Sequence, residues 1–155
     1  MAATSQQKGK RKDKASTGDA GAYYVAFRLA AMGYTVGLTT HGTRAIDLIV
    51  GNPNTGKSVT VQTKTMRDAL GRSRAESWHK WRAGKSPRPV HETFFCAFVD
   101  LKGGHPETPD VYIVPSPRLG SLLNLYKTGG DWYVIEEKDA KEYREHWDTI
   151  ECALA

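Results

Sequence analysis

An acid, an amide and an amine lie close together in the stretch RAIDLIVGNPNTGKSVTVQTKT, which runs from Arg44 to Thr65: Asp47, Gln62 and Lys64. Asp47 interrupts an apolar run of Ile46, Leu48, Ile49 and Val50, and an ionised carboxylate set into a sheet must be paired or must hold a cation. Val59, Val61 and Thr63 alternate with Thr60, Gln62 and Lys64, the period-two pattern of a strand with two distinct faces. Between the two runs, Asn52-Pro53-Asn54-Thr55-Gly56 supplies a fixed φ at proline and a permissive one at glycine, so a hairpin is expected. Gln62 and Lys64 then project from one face, about 6.6 Å apart at about 3.3 Å per residue. Such a hairpin can gather carboxylate, amide and ammonium into one small cluster. The competing arrangement is an Asp47–Lys64 ion pair inside the sheet with Gln62 satisfying a backbone group, which carries no chemistry.

The order of these residues, Ile46-Asp47, hairpin, then Gln62-Thr63-Lys64, resembles the active-site pattern of the PD-(D/E)XK nuclease superfamily, which includes restriction endonucleases and archaeal Holliday-junction resolvases. The likeness extends upstream to GDAGAYYVAFRLAAMGYTV and downstream through FFCAFVDL and PDVYIVPS, covering roughly Gly18 to Ile150. It implies a restriction-endonuclease-like α/β fold with an αβββαβ core, a mixed central sheet flanked by helices. It also implies a metal-dependent endonuclease that hydrolyses DNA phosphodiester bonds with Mg2+ or Mn2+. By that resemblance Asp47 supplies a carboxylate to the metal, the Gln62 amide oxygen a neutral ligand and the Thr63 carbonyl another, while Lys64 orients the attacking water or stabilises developing charge.

Two positions depart from the commonest pattern. Gln62 stands where an acid is usual, and Ala22 where the first helix of the family often carries a glutamate. An amide brings no charge to offset the metal's, so weak metal binding, tightened by substrate phosphate, is expected; Q-x-K versions do occur among active members. Asp19, about one helical turn before Ala22, is an accessory candidate, and its simpler role is an acid at the positive end of the helix dipole. His41 and Arg44 flank the hairpin as further accessory candidates, although a lone histidine in a turn is more often solvated. The rivals to an enzyme are a catalytically inactive nuclease-fold module that binds DNA, and a protein-interaction domain in which the sheet is scaffold.

The elements that must position these groups follow from the patterning. Met1 to Thr17 is polar and basic, with too few apolar residues to offset ordering entropy, so a disordered tail is expected over 1–17 and a single domain over 18–155. The Ser-Thr-Gly-Asp run offers a cap for a helix from Ala20 to Met32, ended by Gly33. Tyr34 to Thr40 reads as a strand. In the basic stretch Met66 to His91, Ala75, Trp78 and Trp81 recur at three-residue spacing and predict a helical face packed on the sheet, with exposed stacking platforms as the alternative. Arg67, Arg72, Arg74, Lys80 and Arg82 would then form a positive rim for a phosphate backbone. Phe94 to Leu101 suits a central strand buried on both faces, and the chain between it and the hairpin is long enough for a crossover helix. Val111 to Val114 predicts another strand, Pro115 to Tyr126 a helix, and Trp132 to Ile135 an edge strand. Ala140, Tyr143, Trp147 and Ile150 predict an amphipathic helix over Lys138 to Ile150.

Composition sets the outer limits. A chain of 155 residues fits one domain, and a hydrophobic fraction of 39% with 25% charged residues describes an ordinary globular protein. The net charge of +5 favours a polyanionic partner such as DNA, with a surplus of surface lysine as the plain alternative. Cys96 and Cys152 form neither a disulfide framework nor a zinc motif, and read as thiols in a reducing compartment. No stretch approaches the roughly 20 apolar residues of a membrane span, and no secretory h-region opens the chain, so a cytoplasmic protein is expected. A homodimer would suit a two-stranded substrate, but no interface stands out in the chain.

Overall fold

The chain is described here from a computed structural model, over residues 14–40, 45–69, 80–85, 90–104, 108–127 and 132–155. Alternation of buried and exposed side chains makes the expected hairpin: β2 (Leu48–Gly51) runs antiparallel to β3 (Ser58–Met66), with Leu48 opposite Val61 and Val50 opposite Val59. Asn52 builds the turn between them. Its Oδ1 accepts the Asn54 N–H, its carbonyl accepts the Gly56 N–H, and Gly56 takes φ +72°, which glycine adopts without steric cost.

On one side of the hairpin, β1 (Thr35–Leu38) pairs antiparallel with β2; on the other, β5 (Phe94–Asp100) pairs parallel with β3, and β6 (Asp110–Pro115) closes the sheet antiparallel to β5. The result is a mixed five-stranded sheet in the order β1-β2-β3-β5-β6. All seven residues of β5 are buried, as its continuous apolar run requires. Phe95, Ala97 and Val99 enter one core with Val25 and Leu29 of α1 (Lys14–Ala31) and with Ile150 and Leu154 of α4 (Asp148–Leu154). Phe94, Cys96 and Phe98 enter a second core beneath a smaller antiparallel sheet, ordered β4-β8-β7. That sheet comprises β4 (Lys80–Gly84), β7 (Leu123–Tyr126) and β8 (Trp132–Glu136), accompanied by α2 (Ser116–Leu122) and α3 (Glu137–Ala140). Among the described residues, no helix is long and apolar enough to cross a membrane.

Several expectations change. Helix α1 already runs from Lys14, so residues 14–17, expected in the tail, are helical, and Asp19 lies beyond the first turn, where no acid stands. Its role as partner of the helix dipole therefore falls away. Trp81 is not on a helix but on β4, its ring 5.0 Å from Tyr112 and 6.0 Å from Phe98 and its indole N–H donated to the Val99 carbonyl at 2.9 Å. It is a core residue, as the packing reading required, by a different element; Ala75 and Trp78 lie outside the described residues. The helix after Pro115 stops at Leu122 because Leu123 to Tyr126 pair with β8, which is thereby a middle strand rather than an edge.

The C-terminal helix is also interrupted. Glu145 takes φ 54°, donates its N–H to the Val111 carbonyl at 2.7 Å and accepts the Val111 N–H on Oε1 at 2.9 Å. Arg144 bridges Tyr112 on the same edge. The segment thus satisfies the outer backbone groups of β6, which an uninterrupted helix would leave open.

Candidate functional site

The two strands of the hairpin part company at Asp47. Its N–H donates to the Val61 carbonyl at 2.9 Å, although Leu48 already faces Val61, so two residues of one strand stand against one of the other. Such a bulge re-aims a side chain. Ala45, at φ 66°, turns the chain just before it in the left-handed region, and the Thr39 hydroxyl pins the Ile46 carbonyl at 2.7 Å. The Asp47 carboxylate then takes the place of the missing strand: Oδ2 accepts the Thr63 N–H at 2.6 Å and the Thr63 hydroxyl at 3.0 Å.

Thr63 lies between Gln62 and Lys64. Gln62 is 6% exposed and opposite Cys96, and Lys64 is half-buried opposite Phe98, both on the face of β3 that looks toward the second core. The Gln62 Oε1 is buried and, among the described residues, has no hydrogen-bond partner. Leaving such an acceptor unsatisfied costs about 1–3 kcal/mol, which a cation or water on that oxygen would offset. A hard divalent ion is bound by oxygens and needs few from the protein, and a side-chain amide oxygen and a carboxylate are donors of that chemical kind. Among the described residues, no three histidine, cysteine or acidic groups converge to hold a metal without other ligands.

Helix α1 lies directly across β3 beyond this point. A Cβ added to Gly21 would stand 1.8 Å from the Thr65 Oγ1, so only glycine permits the approach. Ala22 is also buried and Asp19 is half-buried, and among the described residues neither Asp19 nor Asp47 belongs to a group of three acidic, histidine or cysteine side chains. Arg67 sits just past β3, half-buried, and Lys80 and Arg82 belong to β4 of the second sheet. His41, Arg44, Arg72 and Arg74 lie outside the described residues. Sequence reasoning missed the parts played by the Thr63 N–H and hydroxyl and by Gly21; a glycine inside an otherwise apolar helix was the available signal for the latter.

A mixed sheet with α1 across its hairpin and a strand returning parallel to β3 makes this an α/β fold with a mixed central sheet flanked by helices. Among solved structures, the chain is similar to a bacterial homing endonuclease, I-Ssp6803I, with a TM-score of 0.56 and 16% sequence identity over 91% of this chain and 94% of that one. At that identity the likeness is one of fold. No protein-family model matches the sequence, and no curated protein does.

Proposed function

We propose that the protein is a metal-dependent endonuclease of the PD-(D/E)XK type that hydrolyses phosphodiester bonds of DNA through Asp47, Gln62 and Lys64. The observation that carries this reading is the buried, unpartnered Gln62 Oε1 one residue from the Thr63 N–H that holds the Asp47 carboxylate. Asp47 and Gln62, with the Thr63 carbonyl, would hold Mg2+ or Mn2+, which when bound supplies Lewis acidity toward a phosphoryl oxygen and its bound water. The chain's own residues do the rest. Thr63 fixes the Asp47 carboxylate by two hydrogen bonds, which limits its reorientation as substrate arrives. Lys64, two residues from Gln62, brings an ammonium that orients the attacking water or offsets charge on the phosphate.

Purified protein is expected to nick plasmid DNA with magnesium or manganese, to stop in EDTA, and to lose the activity in Lys64→Ala. Equal cleavage, or equal inertness, of wild type and Lys64→Ala on duplex, single-stranded and branched DNA would overturn the reading. One observation favours a second reading, a DNA-binding module without catalysis: among the described residues, Asp47 has no partner pair of acids, histidines or cysteines. That reading expects salt-sensitive retention of DNA, indifferent to metal.

A further inference from the structure

The second sheet holds two cations on one indole. The Arg82 guanidinium carbon lies 5.2 Å, and the Lys85 Nζ 4.9 Å, from the centre of the Trp132 ring. Arg82 alternates along β4 with Trp81 and Ala83, both buried in the second core, so it leaves the sheet on the opposite face. Arg82 and Lys85 are exposed and Trp132 is half-buried. Among the described residues, Glu136, on the neighbouring strand β8, pairs with Lys138 at 3.0 Å, and Asp139 accepts the Asn124 amide at 3.3 Å. Among the described residues, neither Arg82 nor Lys85 has a carboxylate within ion-pair distance.

We propose that Arg82, Lys85 and Trp132 form a clip for the sugar-phosphate backbone of duplex DNA on the outer face of the second sheet. The choice of DNA rests on the endonuclease reading, while the clip is separate from the Asp47 hairpin. The ring quadrupole holds two like charges together that would otherwise repel, and it restrains two long side chains before any ligand arrives. A guanidinium offers a planar fork to phosphate oxygens and an ammonium a point charge, so one indole presents both to adjacent phosphates. A ring already covered by cations is a poor stacking platform for an unpaired base, so the site fits backbone rather than splayed bases.

The test is retention of a short fluorescein-labelled duplex by the full chain, titrated with salt in EDTA so that no cleavage intervenes. Arg82→Gln with Lys85→Gln is expected to weaken retention several-fold and to flatten the log-affinity against log-salt slope by about one to two, since each released phosphate contact contributes about 0.9. Arg118→Gln with Lys141→Gln, which removes the same charge at other exposed positions, should leave the slope within error of wild type. The clip is overturned if both double variants behave alike, if wild type retains no duplex at low salt, or if only single-strand retention falls. Cleavage is read separately with manganese in wild type and Lys64→Ala, so the endonuclease reading can fail while the clip stands, and the clip can fail while cleavage persists.

Discussion

Gly21 and Thr65 approach so closely that a Cβ on the glycine would stand 1.8 Å from the threonine hydroxyl oxygen and 2.8 Å from its Cβ. This contact seats α1 across the strand that carries Gln62 and Lys64, so the helix is registered on the candidate site by an absent side chain. Gly21→Ala should therefore destabilise the fold by about 1–3 kcal/mol, the usual cost of overpacking, despite alanine's higher helix propensity. Thr65→Gly in the same chain removes the clashing atoms and should recover part of the loss. Urea denaturation of the two single variants and the double variant measures the coupling, and additive losses would mean that the helix is free to shift.

The double hydrogen bond from Thr63 to Asp47 separates positioning from stability. Thr63→Val deletes the 3.0 Å hydroxyl bond and keeps the 2.6 Å backbone bond, at a cost to stability of about 1 kcal/mol. If Asp47 acts on the metal, cleavage should fall by about tenfold or more, chiefly in kcat, as expected when a supporting hydrogen bond beside a metal ligand is lost. Thr63→Ser should restore it. A variant with reduced stability but wild-type kcat would assign Thr63 to the fold alone.

The hairpin tip also caps α4. Asn52 Nδ2 and Thr55 Oγ1 both donate to the Leu154 carbonyl, at 2.9 and 2.8 Å, and Lys57 Nζ reaches the Ala155 oxygen at 2.6 Å. Carbonyls at a helix C-terminus lack intrahelical partners and carry the negative end of its dipole. Asn52→Ala with Thr55→Ala should cost about 1–3 kcal/mol, with fraying of α4 seen as faster amide exchange at Ile150 to Leu154. Unchanged exchange there would show that the tip holds nothing.

Two buried groups tie stability to pH. Asp110, 6% exposed, lies between Lys102 Nζ at 3.0 Å and Arg144 Nη2 at 2.9 Å. Burial alone pushes its carboxyl up, but the hydrogen bonds and charges of the two cations hold it below its ordinary value of 3.8. Its stabilisation is thus present above 3.8 and is lost as pH falls from there through the folded-state value. Tyr112 behaves oppositely: burial, reinforced by Glu137 and Asp110, pushes its phenol up to about 12 from 10.0, so stability is whole below pH 10 and is lost as pH rises toward about 12. Urea midpoints across pH should show a shallower acid limb for Asp110→Asn and a shallower alkaline limb for Tyr112→Phe. Limbs parallel to wild type would place the titrating groups elsewhere.

What the sequence disclosed follows the range of the interactions involved. The hairpin was legible because its signals are local: alternation in Val59 to Lys64 and a proline-glycine turn. Phe94 to Asp100 was legible because burial on both faces leaves an unbroken apolar run. Trp81 misled because its three-residue spacing from Trp78 imitates a helical face, while the β4 alternation amounts to only Trp81 and Ala83. Leu123 has helical spacing from Leu119, yet pairing with Ile135 draws it into a strand. The break at Glu145 depends on Val111, and the setting of Asp47 on a bulge depends on the N–H of Thr63. Both are bonds between backbone and a distant carboxylate, which no periodicity encodes.

The orphaned Gln62 oxygen yields a test that needs no turnover. Gln62→Glu keeps the shape and adds a charge at a position 6% exposed, and a buried carboxylate without a partner is destabilising. In EDTA the variant should be less stable than wild type by about 1–3 kcal/mol. Manganese should reverse that loss, because an ion bound only by the folded chain adds stability by mass action and a second carboxylate should raise its affinity. Wild type should show a smaller shift of its urea midpoint with manganese, and Asp47→Asn a smaller one still. If manganese moves wild type, Gln62→Glu and Asp47→Asn by equal amounts, the ion binds elsewhere and Gln62 is not a ligand.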